Sequence, residues 1–330
     1  MSINLYINNY LKFNNNNFIM KITIVGAGHV GTTTCQNMAI QDVADEIVLV
    51  DISKEVEGKV MDLMQSKYLH NFNTNIDYLY DDNTPDSYLP TGGSNIGIIT
   101  CGIPRKPGMS REQLIDINYN IAYNVGKKLL QYSPNIILIV VTNPVDIISY
   151  MLYKNLDISK ERIIGMGGIL DTARFQYYIE KYTQQKKITN LYIIGSHSDT
   201  DMIPLTNYSL VNNKRLSDIV DSHTLNKIIT ETKSGGRIIT EKQGYSAGYS
   251  PAASILKLVK AITTDNHQEL CCSVVVNGEY SLNNICIGVP VIIGKNGVIK
   301  IIQLDLNEEE NKLMSNSAAT LQLQINNIIN

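Results

Sequence analysis

The sequence predicts an α/β protein, an N-terminal doubly wound parallel sheet followed by a C-terminal α+β half, and three observations predict it. Apolar, β-branched runs recur at Ile22 to Val25, Ile47 to Val50, Ile96 to Thr100 and Ile136 to Val141, with helically spaced apolar residues between them. Gly26, Gly28 and Gly31 follow the first run directly, and Asp51 closes the second. Past about Ile164 the pattern changes, with Gly165, Gly167 and Gly168 marking a junction. The expected organisation is a disordered extension over residues 1 to 19, a nucleotide-binding half over 20 to 164 and a second half over 165 to 330.

The bulk numbers suit a globular chain: 330 residues, 44% hydrophobic and 18% charged. A net charge of −3 offers no basic surplus for nucleic acid. The longest apolar run, Ile136 to Val141, is far too short to cross a bilayer, so no membrane partner is expected. Cys35, Cys101, Cys271, Cys272 and Cys286 form neither a paired framework nor a CxxC metal spacing. That usage fits reduced thiols in the cytoplasm, with no metal site and with Cys101 an ordinary buried thiol. Residues 1 to 19, with asparagine from Asn14 to Asn17, have neither the apolar core of a secretory signal nor an arginine-rich presequence.

The first strand, glycine turn, helix, strand and acid form one unit. Gly26 permits the tight turn, Gly28 admits a pyrophosphate to the backbone, and Gly31 lets the helix carrying Val30, Thr34 and Met38 lie against the strand. The helix start offers unpaired N–H groups to phosphate. Asp51 is placed to accept from an adenosine ribose and to repel a 2′-phosphate, which favours NAD over NADP. A glycine turn alone is weak evidence; its flanking strands and acid make it a dinucleotide-binding, or Rossmann, pattern.

Residues 54 to 66 place Val56, Val60, Leu63 and Met64 on one helical face, and a polar turn region follows. A loop from Cys101 to Met109 leads into a long helix from Arg111 to about Tyr132, with Leu114, Ile117, Ile121, Val125 and Leu129 expected inward. Beyond the junction, Leu170 to Thr183 reads as a helix and Leu191 to Ile194 as a strand. Residues 278 to 306 read as short strands separated by glycine turns, and Asn307 with Glu310 as the capping pair of a last helix carrying Leu313, Leu321 and Ile325.

Four stretches carry candidate chemistry. Arg105 and Arg111 bracket a Pro/Gly loop that can close over a ligand. Asp171 and Arg174 share a helical face, His197 follows a strand, and Asn143 lies in Thr142 to Pro144. Histidine titrates near neutrality, as removal of a hydroxyl proton during hydride transfer requires. A carboxylate at its far nitrogen fixes the tautomer, and an arginine grips a substrate carboxylate with two parallel bonds.

These motifs resemble the lactate/malate dehydrogenase family, specifically the malate dehydrogenases built like lactate dehydrogenases. The likeness runs from Met20 to about Ala319 and includes GAGHVG, TCGIPRKPGMSR, VTNPVD, GMGGILDTARF, SPAAS and GEYSLNNICIGVP. It implies that His197 is the acid/base, Asp171 its partner, Arg174 and Arg105 the carboxylate clamps and Arg111 the carbonyl polariser. Asn143 is then a contact to substrate and nicotinamide, and Ser246 a small hydroxyl beside the substrate. The expected NAD contacts are Gly26, Gly28, His29, Val30, Gly31, Asp51, Cys101, Gly102, Asn118, Val141 and Asn143. Malate and oxaloacetate are the implied substrates, and a homodimer or homotetramer the implied assembly.

Arg105 decides the substrate in this reading. A closed pocket must neutralise the second carboxylate of a four-carbon diacid, and a buried charge left unpaired costs about 3–5 kcal/mol. That is on the order of a hundredfold or more in discrimination. Lactate dehydrogenases typically carry glutamine there, so a lactate or broad 2-hydroxy-acid dehydrogenase is the nearest alternative. A non-catalytic NAD-binding module and a glycine-turn methyltransferase are the others. Two stretches depart from the family pattern. After His197 stands Ser198 where glycine is usual, with one extra residue before Met202, so strain is expected if that position needs φ > 0. Residues 233 to 238 replace a segment usually closer to RxGGAEI.

Overall fold

The computed structural model describes residues 19–84, 86–104 and 108–329. The expected disordered extension falls, Ile19 apart, outside those residues, as do Arg105, Lys106 and Pro107. In the first half lie β1 (Lys21–Val25), α1 (His29–Ile40), β2 (Glu46–Asp51), α2 (Glu55–His70), β3 (Asn75–Tyr80) and β4 (Ile96–Ile99). Next come α3 (Arg111–Tyr132), β5 (Ile137–Val140), α4 (Val145–Asn155) and β6 (Ile163–Gly165). The strands pair in parallel in the order β3-β2-β1-β4-β5-β6. Every residue of β1, β4 and β5 is buried. Successive side chains of a strand face opposite layers, so a run such as Ile22 to Val25 is satisfied only by a sheet covered on both faces. The strand order reverses between β1 and β4, which opens a crevice at their C-terminal ends where Gly26 and Cys101 emerge.

The second half begins with α5 (Gly168–Thr183), β7 (Ile188–Thr189), β8 (Ile193–Gly195), β9 (Met202–Pro204), β10 (Leu210–Val211) and β11 (Lys214–Arg215). It continues with α6 (Leu216–Ile219), α7 (Ser222–Lys233), α8 (Gly235–Gln243), α9 (Tyr249–Thr263), β12 (Gln268–Asn277), β13 (Asn283–Gly294), β14 (Gly297–Ile301) and α10 (Glu308–Ile329). The expectation of short strands after Gly278 is corrected here: β12 and β13, of 10 and 12 residues, form one long antiparallel hairpin that starts well upstream. Burial on both faces removes the alternation that marks a strand, and Cys271, Cys272 and Ser273 interrupt the apolar run.

That hairpin joins the halves. Ser273 of β12 registers with Gly165 of β6, and Gly288 of β13 with Gly195 of β8, so one 11-stranded sheet runs through both. The main core is likewise continuous, from Ile22 and Ile47 to Ile287 and Leu321. The end of β8, and His197 just beyond it, is thereby brought to the end of β5.

Two helix faces differ from expectation. In α3 the buried residues are Ile115, Asn118, Ala122, Val125, Gly126, Leu129 and Tyr132, while Ile117 is exposed. The inward stripe is rotated because the polar Asn118 takes a core position that an apolar count passes over. In α10 Leu313 is exposed, and Met314, Ala318, Leu321 and Ile325 face inward. Asn307 and Glu310 do cap α10 reciprocally: the Glu310 N–H donates to Asn307 Oδ1 at 2.9 Å, and the Asn307 N–H to Glu310 Oε2 at 3.0 Å.

Candidate active site

The turn after β1 is shaped for close approach. Gly26 has φ +107°, and a Cβ there would lie 2.7 Å from the Cys101 backbone nitrogen. A Cβ on Gly31 would overlap the Gly26 carbonyl oxygen, so α1 packs against the turn only through glycine. Gly28 has open space around it and starts α1 with no side-chain cap, which leaves the first helical N–H groups for an anion. Asp51 accepts from the Ala27 N–H at 2.6 Å and the Ser53 N–H at 2.8 Å, one bond per oxygen, so each retains a lone pair for ribose hydroxyls. Lys59, which the sequence reading missed, donates to the Ala27 carbonyl at 2.8 Å and braces the turn from α2. Val30 is partly buried behind the turn. These features fit a dinucleotide.

The opposite wall is tied together by Asn118. Its Oδ1 accepts from the Ile103 N–H at 2.8 Å and its Nδ2 donates to the Asn143 carbonyl at 2.8 Å. Gly102, with φ +156°, leaves no room for a Cβ beside Thr142 and Asn118. Asn143 itself is exposed, at a cis bond to Pro144, and Val141 and Cys101 are partly buried beside it. Burial pushes the Cys101 thiol up to about 12, which suits a packing residue and not a nucleophile. Arg111 opens α3 behind a Ser110 capping box, on the face that carries Asn118 one heptad later. It makes no hydrogen bond or ion pair among the described residues, and no measured contact joins it to His197.

The protein's second half supplies a compact polar cluster. Asp171 and Arg174 occupy the first two turns of α5, and the Arg174 Nη1 lies 3.2 Å from Asp171 Oδ1. The other carboxylate oxygen is 2.6 Å from His197 Nδ1. A carboxylate only accepts, so Nδ1 carries the proton and Nε2 is left for a ligand. Gly167 makes this possible, since a Cβ there would lie 2.8 Å from His197 Cβ. Gly235 and Gly236 at the start of α8 flank Arg174, where a Cβ on Gly235 would lie 3.0 Å from its Cδ. Arg174 Nε is buried and has no hydrogen-bond partner among the described residues. A buried guanidinium edge without an acceptor fits a ligand carboxylate.

Burial pulls the His197 imidazole down, but the Asp171 charge and hydrogen bond, with the Asp146 charge, more than offset it. Its pKa therefore stands above the ordinary histidine value. Asp146 was not singled out as a site residue although it ends the VTNPVD motif. It is 3% exposed and accepts from the His197 N–H at 2.8 Å, Ser196 Oγ at 3.0 Å and Ser273 Oγ at 2.5 Å. Burial raises its carboxyl above the usual range, and Ser273 leads the bonds that oppose this.

Ser198 is not strained. Its φ is not positive, and a turn over residues 199 to 201 accommodates the extra residue. There Ser198 Oγ donates to Asp201 Oδ2 at 3.1 Å and accepts from the Asp201 N–H at 3.0 Å. Lys233 of α7 reaches the Thr200 carbonyl at 3.2 Å and pins the turn from outside. Ser246 is exposed between α8 and α9. Its neighbours touch the glycine turn: the His29 ring lies edge-on to Tyr245 and Tyr249, with centroids 5.7 and 5.3 Å away, and fills the space a Cβ on Gly248 would need.

No group of three or more metal-ligating side chains occurs among the described residues, and all five cysteines are free thiols. No helix among the described residues is long and apolar enough to cross a membrane.

Residues 20–165 match the family model for the lactate/malate dehydrogenase NAD binding domain, and residues 169–330 the model for its alpha/beta C-terminal domain. A malate dehydrogenase of Bacteroides thetaiotaomicron is 42% identical over 301 residues, spanning 90% of this chain and 94% of that one. The apo malate dehydrogenase structure from Picrophilus torridus superposes with a TM-score of 0.89 at 35% identity, covering 94% of this chain and 98% of that one. A Cryptosporidium parvum lactate dehydrogenase, complexed with lactic acid and β-nicotinamide adenine dinucleotide, reaches a TM-score of 0.89 at 28% identity, covering 95% and 99%. With both halves matched along nearly their whole length, the chain belongs to the lactate/malate dehydrogenase family.

Proposed function

We propose that this chain is an NAD-dependent malate dehydrogenase, which interconverts malate and oxaloacetate by reversible hydride transfer, with His197 as acid/base. The observation that carries the reading is the buried Asp171 carboxylate bonded on one oxygen to His197 Nδ1 at 2.6 Å and on the other to Arg174 at 3.2 Å. NAD supplies the hydride acceptor at its nicotinamide. In the oxidative direction His197 Nε2 takes the hydroxyl proton, and Asp171 stabilises the imidazolium that results. In the reductive direction His197, charged at the outset, returns that proton to the forming alkoxide. Arg174 holds the C1 carboxylate through its unpaired edge, and Arg111 stabilises charge on the carbonyl oxygen. Asn143 and Ser246 complete the substrate and nicotinamide wall. The cofactor rests on Gly26, Gly28, His29, Val30 and Gly31, with Asp51 on its ribose and Cys101, Gly102, Asn118 and Val141 lining the far side.

Arg105 takes the second carboxylate and so selects a diacid over pyruvate. The names of relatives such as the Bacteroides thetaiotaomicron protein support malate, while lactate dehydrogenases among the structural neighbours keep pyruvate in the assay. The same reading divides the chain at about residue 164 into cofactor and catalytic halves. It also places the enzyme in the tricarboxylic acid cycle and in the cytoplasm, where five free thiols are at home. A homodimer or homotetramer is part of it, supported by Met61, Tyr68 and Leu69 exposed along α2. Turnover of oxaloacetate with NADH, lost in His197→Asn while NADH binding persists, is the test. Unchanged turnover in that variant overturns the assignment.

A further inference from the structure

We propose that Asp146 is a second carboxylate serving His197, a positioning residue that fixes its backbone and adds negative charge beside its ring. The inference rests on the dehydrogenase reading above. Asp146 sits in the first turn of α4, two residues past Pro144, and is fully enclosed. No lysine or arginine pairs with it among the described residues. A buried carboxylate without a cation is costly, and an apolar side chain would pack there at no such penalty.

What Asp146 gains is convergence. Its Oδ2 holds the His197 N–H and the Ser196 hydroxyl, and its Oδ1 the Ser273 hydroxyl of β12. One carboxylate thus clamps the start of α4, the turn after β8 and the strand that joins the halves. Its position in the first turn of α4 favours an anion through the helix dipole. Because Asn143 lies three residues earlier, the same clamp ties the substrate wall to the acid/base.

The charges around the pair are few. His197 faces Asp171 and Arg174 from α5 and Asp146 from α4; the arginine opposes its protonation and the two acids favour it. On its far side Asp146 accepts from Ser273, and 3.3 Å beyond that hydroxyl lies the Cys286 thiol of β13. Burial drives that thiol far above its ordinary pKa, so it stays neutral. No lysine or arginine among the described residues pairs with Asp146, while its charge favours the His197 imidazolium, so two acids set the readiness of His197 to hold a proton.

Asp146→Asn removes the charge at nearly constant shape: the amide oxygen still accepts from His197 and Ser196, and Ser273 turns to accept from the amide nitrogen. We expect the pH midpoints of kcat/KM, for both oxaloacetate reduction and malate oxidation, to fall by about half a pH unit or more, with NADH binding retained. Midpoints that stay in place while activity drops reduce Asp146 to a structural role and overturn the proposal. If the unmodified protein turns over neither substrate, the dehydrogenase reading fails separately. An NMR titration of the His197 ring with and without Asp146→Asn then decides: a lower midpoint supports the proposal and an unchanged one rejects it. Should the variant not fold, carboxyl 13C NMR of the aspartate-labelled unmodified protein serves. An Asp146 ionised through the His197 titration supports the proposal, and one protonated throughout overturns it.

Discussion

Replacing Asp171 by asparagine removes one charge from the centre of the cluster at almost no change in volume. The carboxylate side chain is only 2% exposed, so solvent screens neither its 2.6 Å bond to His197 Nδ1 nor its 3.2 Å pair with Arg174. A hydrogen bond to a charged group contributes roughly 1.5–3 kcal/mol, and leaving a buried ionic partner uncompensated raises the total loss to about 3–5 kcal/mol. An asparagine NH2 turned toward Nδ1 also favours the tautomer with the proton on Nε2, which cannot accept one from malate. At about 1.4 kcal/mol per tenfold, kcat should fall by roughly 10² to 10⁴. The sign of the pH effect follows from the raised pKa of His197, to which Asp171 contributes. Without that carboxylate the imidazole loses its proton at lower pH, so the alkaline limb of oxaloacetate reduction moves down. Steady-state NADH oxidation gives both quantities, and NADH fluorescence checks that cofactor binding survives. A kcat within threefold of the unmodified enzyme would refute the reasoning.

Three further changes probe other parts of the site. Arg105→Gln should level or reverse the preference for oxaloacetate over pyruvate, a change of about a hundredfold in relative kcat/KM. Gly31→Ala puts a methyl into the Gly26 carbonyl, so NADH affinity and thermal stability should fall together; an unchanged NADH Kd sinks the close-packing argument. Gly235→Val crowds Arg174, where even a Cβ would lie 3.0 Å from Cδ, and should raise KM for oxaloacetate about tenfold while sparing NADH binding.

How much of this was legible depended on whether the signal was local. The glycine turn and Asp51 could be read because strand, turn, helix and acid are contiguous, and the Asn307 and Glu310 cap because its partners are three residues apart. The pairing of Asp171 with His197 spans 26 residues and came from motif resemblance, not spacing. Asp146 was passed over because its partners His197 and Ser273 lie 51 and 127 residues away and meet it only through the shared sheet. Asn118 misled the reading of α3, since an apolar count cannot know that an amide is needed inside to hold Ile103 and Asn143. Ser198 misled it differently: strain there needs a positive φ, and Ser198 does not take one.

The central claim is that a closed pocket with two cationic anchors takes a diacid, and one comparison addresses it directly. kcat/KM of the unmodified protein should be measured for oxaloacetate and for pyruvate at the same saturating NADH. The account predicts a preference for oxaloacetate on the order of a hundredfold or more, the value of one buried carboxylate correctly paired. Equal values, or a preference for pyruvate, would contradict it.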